Sequence, residues 1–458
     1  MEPESKKRIC KNVTKNFYIC NAFKFFIFAN SPPPESKIQM GSSLLIMIKI
    51  LHIKITKKNK KQRKETKAMY EYNNETKTLT LTLNEWGDIR FLPSDIKKEA
   101  EHLICNDRKR ITSDIYFTRG LMELCMLKDV LICDENPAYK TVDGIVYSKD
   151  GSKLLFCPAG ITGHVRVLDG TKIIFKNSFT SSQISEITIP DSVEMIDDAA
   201  FASSISLEHV YFSEGSKLMV VGSNAFYGCK ALRQIILPDS VKHMKSKIFK
   251  NSGIKAFTYP DNAKLVVEDD LFVNCPLKAV TVPKILYEQK GIFYFLNPCL
   301  SDYSMYQFYE TDDKEFTEAI VLTVKGFKPL AIPRYVKPGS NFNKFIDDIN
   351  AFFSDKNSEA PDLYKYGGSG IGKEDAALLQ YKLHQTKSSR RYLVLNVRSM
   401  AERKAEESEE SMAELVTLDI WKPDILEYML KIVQEKEYLS LIAYILEKLP
   451  KRKSNVNL

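Results

Sequence analysis

Few residues in this 458-residue chain have the types and spacing that chemistry needs. From Gly367 to Lys373 the sequence reads GGSGIGK, which satisfies the GxxxxGK frame of a phosphate-cradling loop. Such a loop holds phosphates on backbone N–H groups, reaches them with its lysine and binds Mg²⁺ through a following Ser or Thr. Here Glu374 stands where that hydroxyl belongs, and EAPDLYKY leads into the glycines instead of an apolar strand. The helical pattern EDAALLQYKLHQ after the loop does fit. A glycine loop capped into a helix is the favoured reading, and a nucleotide-binding enzyme is the minor alternative.

The other chemical templates are missing. No GxSxG elbow, HExxH pair or CxxC pair occurs, and none of the six histidines has a partner at ligand spacing. A zinc site is therefore not expected. The acid pairs Asp197 with Asp198 and Asp269 with Asp270 fall in turn-like stretches, where solvation is the simpler role. We expect no catalytic residues, no metal and no cofactor.

The elements around these residues repeat. Residues 184–206 read ISEITIPDSVEMIDDAAFASSIS, 207–231 LEHVYFSEGSKLMVVGSNAFYGCKA, 232–253 LRQIILPDSVKHMKSKIFKNSG and 254–276 IKAFTYPDNAKLVVEDDLFVNCP. A further copy opens as LKAVTVP at Leu277, and an earlier one reads HVRVLDGTKIIFKNSF from His164. Phe179, Phe201, Phe226, Phe249 and Phe272 mark the units, at spacings of 22, 25, 23 and 23 residues. Each unit opens with a short alternating strand, such as Ile187 with Ile189. A Pro-Asp-Ser turn then ends it, because proline removes a donor and Asp or Ser bonds nearby backbone. A second apolar pair follows, and then the Phe. About six inward side chains at ~1.5–3 kcal/mol each supply at most ~18 kcal/mol. Ordering the backbone of one unit costs roughly 23 kcal/mol. Stacking must supply the difference, so the expected fold is a solenoid.

This frame resembles the BspA-like leucine-rich repeat family, known from bacterial surface proteins and from large sets in protozoan parasites. The residues that carry the resemblance are Ile189 to Val193, Ile196, Ala200, Phe201, Ala225, Phe226 and Cys229. YKTVDGIVYSKDGSKLLFCPAG, residues 139–160, is similar to an insertion such proteins carry ahead of the main array. The resemblance spans roughly residues 127–283 and implies surface adhesion or antigenic display, with a protein ligand of host or matrix origin. The fold class expected is a leucine-rich repeat solenoid, with a strand and a short irregular or helical segment per unit, and a mostly helical C-terminal region.

Charge divides the chain. Residues 1–68 hold 16 of the 66 Lys and Arg but 4 of the 58 Asp and Glu, which leaves 50 basic and 54 acidic residues beyond them. A nucleic-acid-binding body is not indicated. Residues 1–68 read as a basic extension, disordered or upstream of a true start at Met69, and include the octet KKNKKQRK. The solenoid is assigned to 69–303, with its clearest repeats at 162–283. A mixed region of unknown fold is assigned to 304–399, a charged linker to 400–423, and a helical hairpin with a basic tail to 424–458. No apolar run is long enough for a transmembrane helix, and Asn12 and Asn74 head glycosylation sequons no more frequent than chance. The resemblance points to the cell surface, whereas the lack of a clear signal peptide points to the cytoplasm.

Cysteines suit an interior role. Nine is odd, so at least one is free, and Cys229, Ser252 and Cys275 each follow a marker Phe by three residues. Two repeats separate the two cysteines by ~10 Å, beyond the ~7 Å reach of a disulfide. Buried thiols acting as small hydrophobes are expected.

The function expected is a non-enzymatic protein-interaction module resembling surface adhesins, with an intracellular leucine-rich repeat scaffold as the alternative. In each first strand, residues alternate between core and exposed face. With Ile187, Val210, Ile235, Phe257 and Val280 inward, one outward ladder is Glu186, His209, Gln234, Ala256 and Ala279. The next is Thr188, Tyr211, Ile236, Thr258 and Thr281. At ~4.8 Å per strand each is expected to span ~19 Å over five repeats. Tyrosine is enriched at binding hot spots, so Tyr211 and Ile236 are expected to centre a partner-binding patch. Strand propensity alone also accounts for the threonines and the tyrosine.

Overall fold

The computed structural model describes residues 70–81, 89, 92–106, 113–297, 318–336 and 340–450. The extension 1–68 and the basic tail past 450 lie outside the described residues, as do the segments between these ranges.

Alternation begins at the N-terminal side with β1 (Tyr70–Asn73), β2 (Thr78–Leu81), β3 (His102–Cys105) and β4 (Asp129–Ile132), with helices α1 (Ser94–Glu99) and α2 (Asp114–Leu121) among them. The four strands form one sheet, with β1 and β2 antiparallel and the later pairs parallel. Leu79, Leu81, Leu103 and Phe117 are buried in its core. A meander follows: β5 (Tyr139–Val142), β6 (Ile145–Ser148) and β7 (Lys153–Phe156).

From Thr162 each unit gives one strand to each of two parallel sheets. The strands alternate as β8 (Thr162–Arg166), β9 (Ile173–Ile174), β10 (Gln183–Ile189), β11 (Met195–Ile196), β12 (His209–Phe212) and β13 (Val220–Val221). They continue as β14 (Gln234–Ile235), β15 (His243–Met244), β16 (Ala256–Thr258), β17 (Val266–Val267) and β18 (Ala279–Val282). The odd-numbered strands from β9 to β17 extend the meander into one eight-stranded sheet, in the order β17-β15-β13-β11-β9-β7-β6-β5.

The marker phenylalanines build the spine between the sheets. All five are buried. Their rings stack at centroid distances of 4.8, 5.1, 5.8 and 5.5 Å in chain order. Phe179, Phe201, Phe226 and Phe249 also donate their backbone N–H groups to the next unit, at 2.7–3.0 Å. The residues two before and two after each Phe take the left-handed conformation, among them Asn177, Asn224, Gly228 and Asn251. Asn, Asp and Gly bear that conformation best, so their recurrence beside the Phe is a demand of the turn. Three residues after each Phe, Ser182, Ser204, Cys229, Ser252 and Cys275 form a buried column. The hydroxyl of Ser204 donates to the Phe179 carbonyl at 2.6 Å, and the thiols of Cys229 and Cys275 to those of Phe201 and Phe249 at 3.1 and 2.7 Å.

The first-strand sheet is not continuous. Its strands divide into β12-β10-β8 and, starting at β14, a second sheet in the order β14-β16-β18-β19-β20. The expectation of one ladder over five repeats is corrected here. Unit length also varies on this side. Ile174, Ile196, Val221, Met244 and Val267 each precede their Phe by five residues, so the second sheet and the spine stay in step. All variation in length falls around the first strands. Val210 to Val221 spans 11 residues where Ile187 to Ile196 spans 9, and this longest unit borders the break.

The sheet that starts at β14 continues past 303. The strand β19 (Ala319–Val324) pairs parallel with β18, and β20 (Leu330–Pro333) antiparallel with β19. Its end is covered by α3 (Lys284–Lys290), α4 (Ile292–Leu296) and α5 (Ser340–Ser354), whose Leu286, Phe295, Phe345 and Phe352 join the solenoid core. The remaining helices are α6 (Gly370–His384), α7 (Lys387–Glu407), α8 (Glu409–Val416), α9 (Pro423–Glu435) and α10 (Leu439–Lys448). The stretch 400–423, expected as a linker, is largely helical and packed: Met400, Ala401, Ala405, Met412 and Leu415 are buried against Met429 and Ile445. Glu402, Glu406, Glu410 and Glu414 are exposed, while these apolar residues recur at helical spacing.

Candidate functional site: the exposed sheet face

The outward residues of the first strands come from the alternation itself. Ile187, Ile235, Phe257 and Val280 are buried, which turns their neighbours to solvent. On β10 and β12, Glu186 pairs with His209 and Thr188 with Tyr211. On β14, β16 and β18, Gln234 pairs with Ala256 and Ala256 with Ala279, while Thr258 pairs with Thr281. Ile236 directly follows β14. These eight residues, Glu186, Thr188, His209, Tyr211, Gln234, Ile236, Thr258 and Thr281, lie on one side of the solenoid but in two separate sheets.

At the break the surface is concave. A groove of about 780 Å³ runs between β12 and β14, lined by His209, Tyr211, Gln234 and Ile236 with Glu208 and Arg233. Tyr211 is 46% and Ile236 72% exposed, so both present apolar surface to it. The Tyr211 ring lies 5.8 Å from His209, nearly parallel, and 6.3 Å from His164, edge-on. His164 Nε2 lies 2.8 Å from the Thr188 hydroxyl. These contacts hold Tyr211 in place without covering it.

His164 and Arg166 extend the face onto β8, in register with Glu186 and Thr188. Sequence reasoning left them out of the site, although the alternating HVRV at residue 164 carried the signal. It had no way to find the groove, which depends on strands that fail to pair.

The glycine loop is a different object from a phosphate cradle. A 3₁₀ turn, Leu363–Tyr366, precedes it where a strand would be needed. The α6 helix starts at Gly370, and its N-cap Ser369 accepts from the Gly372 N–H at 2.8 Å. The same hydroxyl donates to Glu318 Oε2 at 2.7 Å. A Cβ on Gly372 would lie 3.1 Å from that oxygen. An internal carboxylate thus already sits at the positive end of the helix, and it would repel a phosphate.

Other reactive groups are subdued. Burial pushes the thiols of Cys157, Cys229 and Cys275 well above the usual range, and the thiolate is the nucleophile. Among the described residues, no group of three or more His, Cys, Asp or Glu could hold a metal ion. Among the same residues, no helix is long and apolar enough to cross a membrane.

Residues 172–297 match the family model described as the BspA type leucine rich repeat region, in 6 copies. Among solved structures, the pneumococcal vaccine antigen PcpA is 21% identical over 40% of this chain and 39% of its own, with a TM-score of 0.28. A leucine-rich repeat protein of T. pallidum is 21% identical over 31% of this chain and 67% of its own, with a TM-score of 0.24. One from Bacteroides capillosus is 22% identical over 32% of this chain and 98% of its own, with a TM-score of 0.22. No curated protein matches the sequence. The fold is a leucine-rich repeat solenoid with a helical C-terminal region.

Proposed function

We propose that this protein is a non-enzymatic interaction module that captures a protein ligand on its exposed sheet face, centred on Tyr211 and Ile236. The observation that carries this reading is the groove between β12 and β14 with those two side chains exposed on it. A large ring held by neighbours loses little entropy on binding, and an apolar centre with polar flanks suits a protein interface. The repeat family is associated with surface proteins, and adhesion or antigenic display is the role we assign. An intracellular scaffold is the second reading. It is favoured by the free thiols of Cys125, Cys157, Cys229 and Cys275, since oxidising compartments tend to pair them.

The test uses the full chain and the variant Tyr211→Ala with Ile236→Ser as affinity baits. We expect the variant to keep its melting temperature and to lose a set of captured proteins. Unchanged capture by a folded variant would place the binding surface elsewhere. Labelling of intact cells with a membrane-impermeant reagent separates the two settings.

A further inference from the structure

We infer that a second binding groove, independent of the sheet face, lies between α7 and the start of α9 and takes an acidic peptide segment bearing apolar side chains. The argument begins with the two faces of α7. Its inward face is Ser389, Leu393, Val397, Met400, Ala401 and Lys404, all buried. Its outward face is Lys387, Arg390, Arg391, Val394, Leu395 and Arg398, all exposed. These six recur at the i, i+3, i+4, i+7 spacing that puts side chains on one helical stripe. Val394 and Leu395 are 43% and 73% exposed, a prominent apolar pair on a surface otherwise cationic.

The stripe does not face open solvent evenly. Ile420, Trp421, Lys422 and Ile425 rise beside it and enclose a groove of about 550 Å³. The indole of Trp421 is fixed, because its N–H donates to the Leu415 carbonyl at 2.8 Å. Four cations line this groove, Lys387, Arg390, Arg391 and Lys422, and Asp424 is the one acid among its lining residues. None of the four cations forms an ion pair among the described residues. Elsewhere in the helical region several basic side chains are matched: Arg403 bridges Glu374 and Asp375 at 3.1 and 2.9 Å, Lys404 reaches Asp375 at 3.1 Å, and Lys382 reaches Glu414 at 3.2 Å. Unmatched positive charge around an apolar floor selects a partner with the opposite pattern.

The chemistry narrows the occupant further. The chain's own extension 1–68 is strongly basic and would be repelled. A lipid surface would favour a convex or flat apolar face, whereas the apolar residues here line a concavity. A nucleic acid would use the cations and leave Val394, Leu395 and Ile425 without a role. An amphipathic acidic segment uses both, in the manner of a helix laid into a groove.

The test uses the full chain and a fluorescein-labelled peptide of repeating Glu-Glu-Leu-Glu-Phe-Leu, read by anisotropy. We expect saturable binding that weakens with added salt, because exposed charge pairs are screened over about 8 Å at physiological ionic strength. Arg390→Glu with Arg391→Glu should weaken it about tenfold or more. Leu395→Ser, at a position too exposed to support the fold, should weaken it several-fold with the melting temperature unchanged. Tyr211→Ala should leave it unaffected. Equal binding of a peptide with serine in place of leucine and phenylalanine would overturn the proposal by reducing it to general anion attraction. Binding of phosphatidylserine vesicles or single-stranded RNA through the same residues, without binding of the peptide, would overturn it as well.

Discussion

The two sheets of the solenoid are made by the same repeats, yet one is continuous and the other is split. The continuous sheet has the shorter strands. From β9 to β17 each contributes two residues, and the ladder still runs through eight strands. The first-strand sheet has strands of up to seven residues and breaks between β12 and β14. Strand length therefore does not decide continuity here. The constant five-residue link from each second strand to its Phe does, because it locks that sheet to the ring stack and to the backbone bonds of the Phe turns. The first strands lack such a link. Surplus residues accumulate beside them, and the groove lies where β12 and β14 do not pair. The rigid side of the array holds the fold, and the irregular side presents a surface.

Four variants probe that contrast. The largest effect is expected on the rigid side. Phe226→Ala removes a fully buried ring that stacks on Phe201 and Phe249, and it should cost about 3–5 kcal/mol in denaturant unfolding. A loss below about 1 kcal/mol would mean that the spine does not hold the repeats together.

A smaller cost is expected from Gly222→Ala, just after β13. Its added Cβ would lie 2.5 Å from the backbone carbon of Asp197 and the backbone nitrogen of Asp198 in the preceding unit. Such overpacking typically costs ~1–3 kcal/mol, because the continuous sheet has no slack to give. Unchanged stability would show that neighbouring units slide more freely than the unbroken ladder implies.

The smallest effect belongs to the split side. Tyr211→Ala with Ile236→Ser should shift stability by no more than about 0.5 kcal/mol, the usual range for exposed positions. The inward control Ile187→Ser removes a fully buried side chain on β10 and leaves a hydroxyl in the core, so it should be clearly destabilising. If the outer pair proved the more costly, the assignment of the two faces would be reversed.

Much of this was legible in the residues. Apolar alternation put Ile187, Ile235 and Phe257 inside, and the buried column of Ser252 and Cys275 was visible three residues past each Phe. The glycine loop was legible only in part. Glu374 and the missing strand argued against a phosphate cradle, but the carboxylate that occupies its place comes from Glu318, 51 residues away from Ser369. The stretch 400–423 misled because charge dominates its composition, while packing follows the spacing of Met400, Ala405 and Met412.

By itself the sequence determined the repeat, the spine, and which side of each strand meets the core. These are properties of neighbours along the chain, where a period of two or a recurring turn is written directly in the residues. Only the tertiary structure decided where the first-strand sheet breaks, that α3 to α5 close the array, and that Trp421 and Lys422 stand beside the outward stripe of α7. Each of these depends on how small differences in unit length, or the ends of distant helices, add up in space. A single unit contains no record of that sum, because register is set by its neighbours' contacts and not by its own pattern.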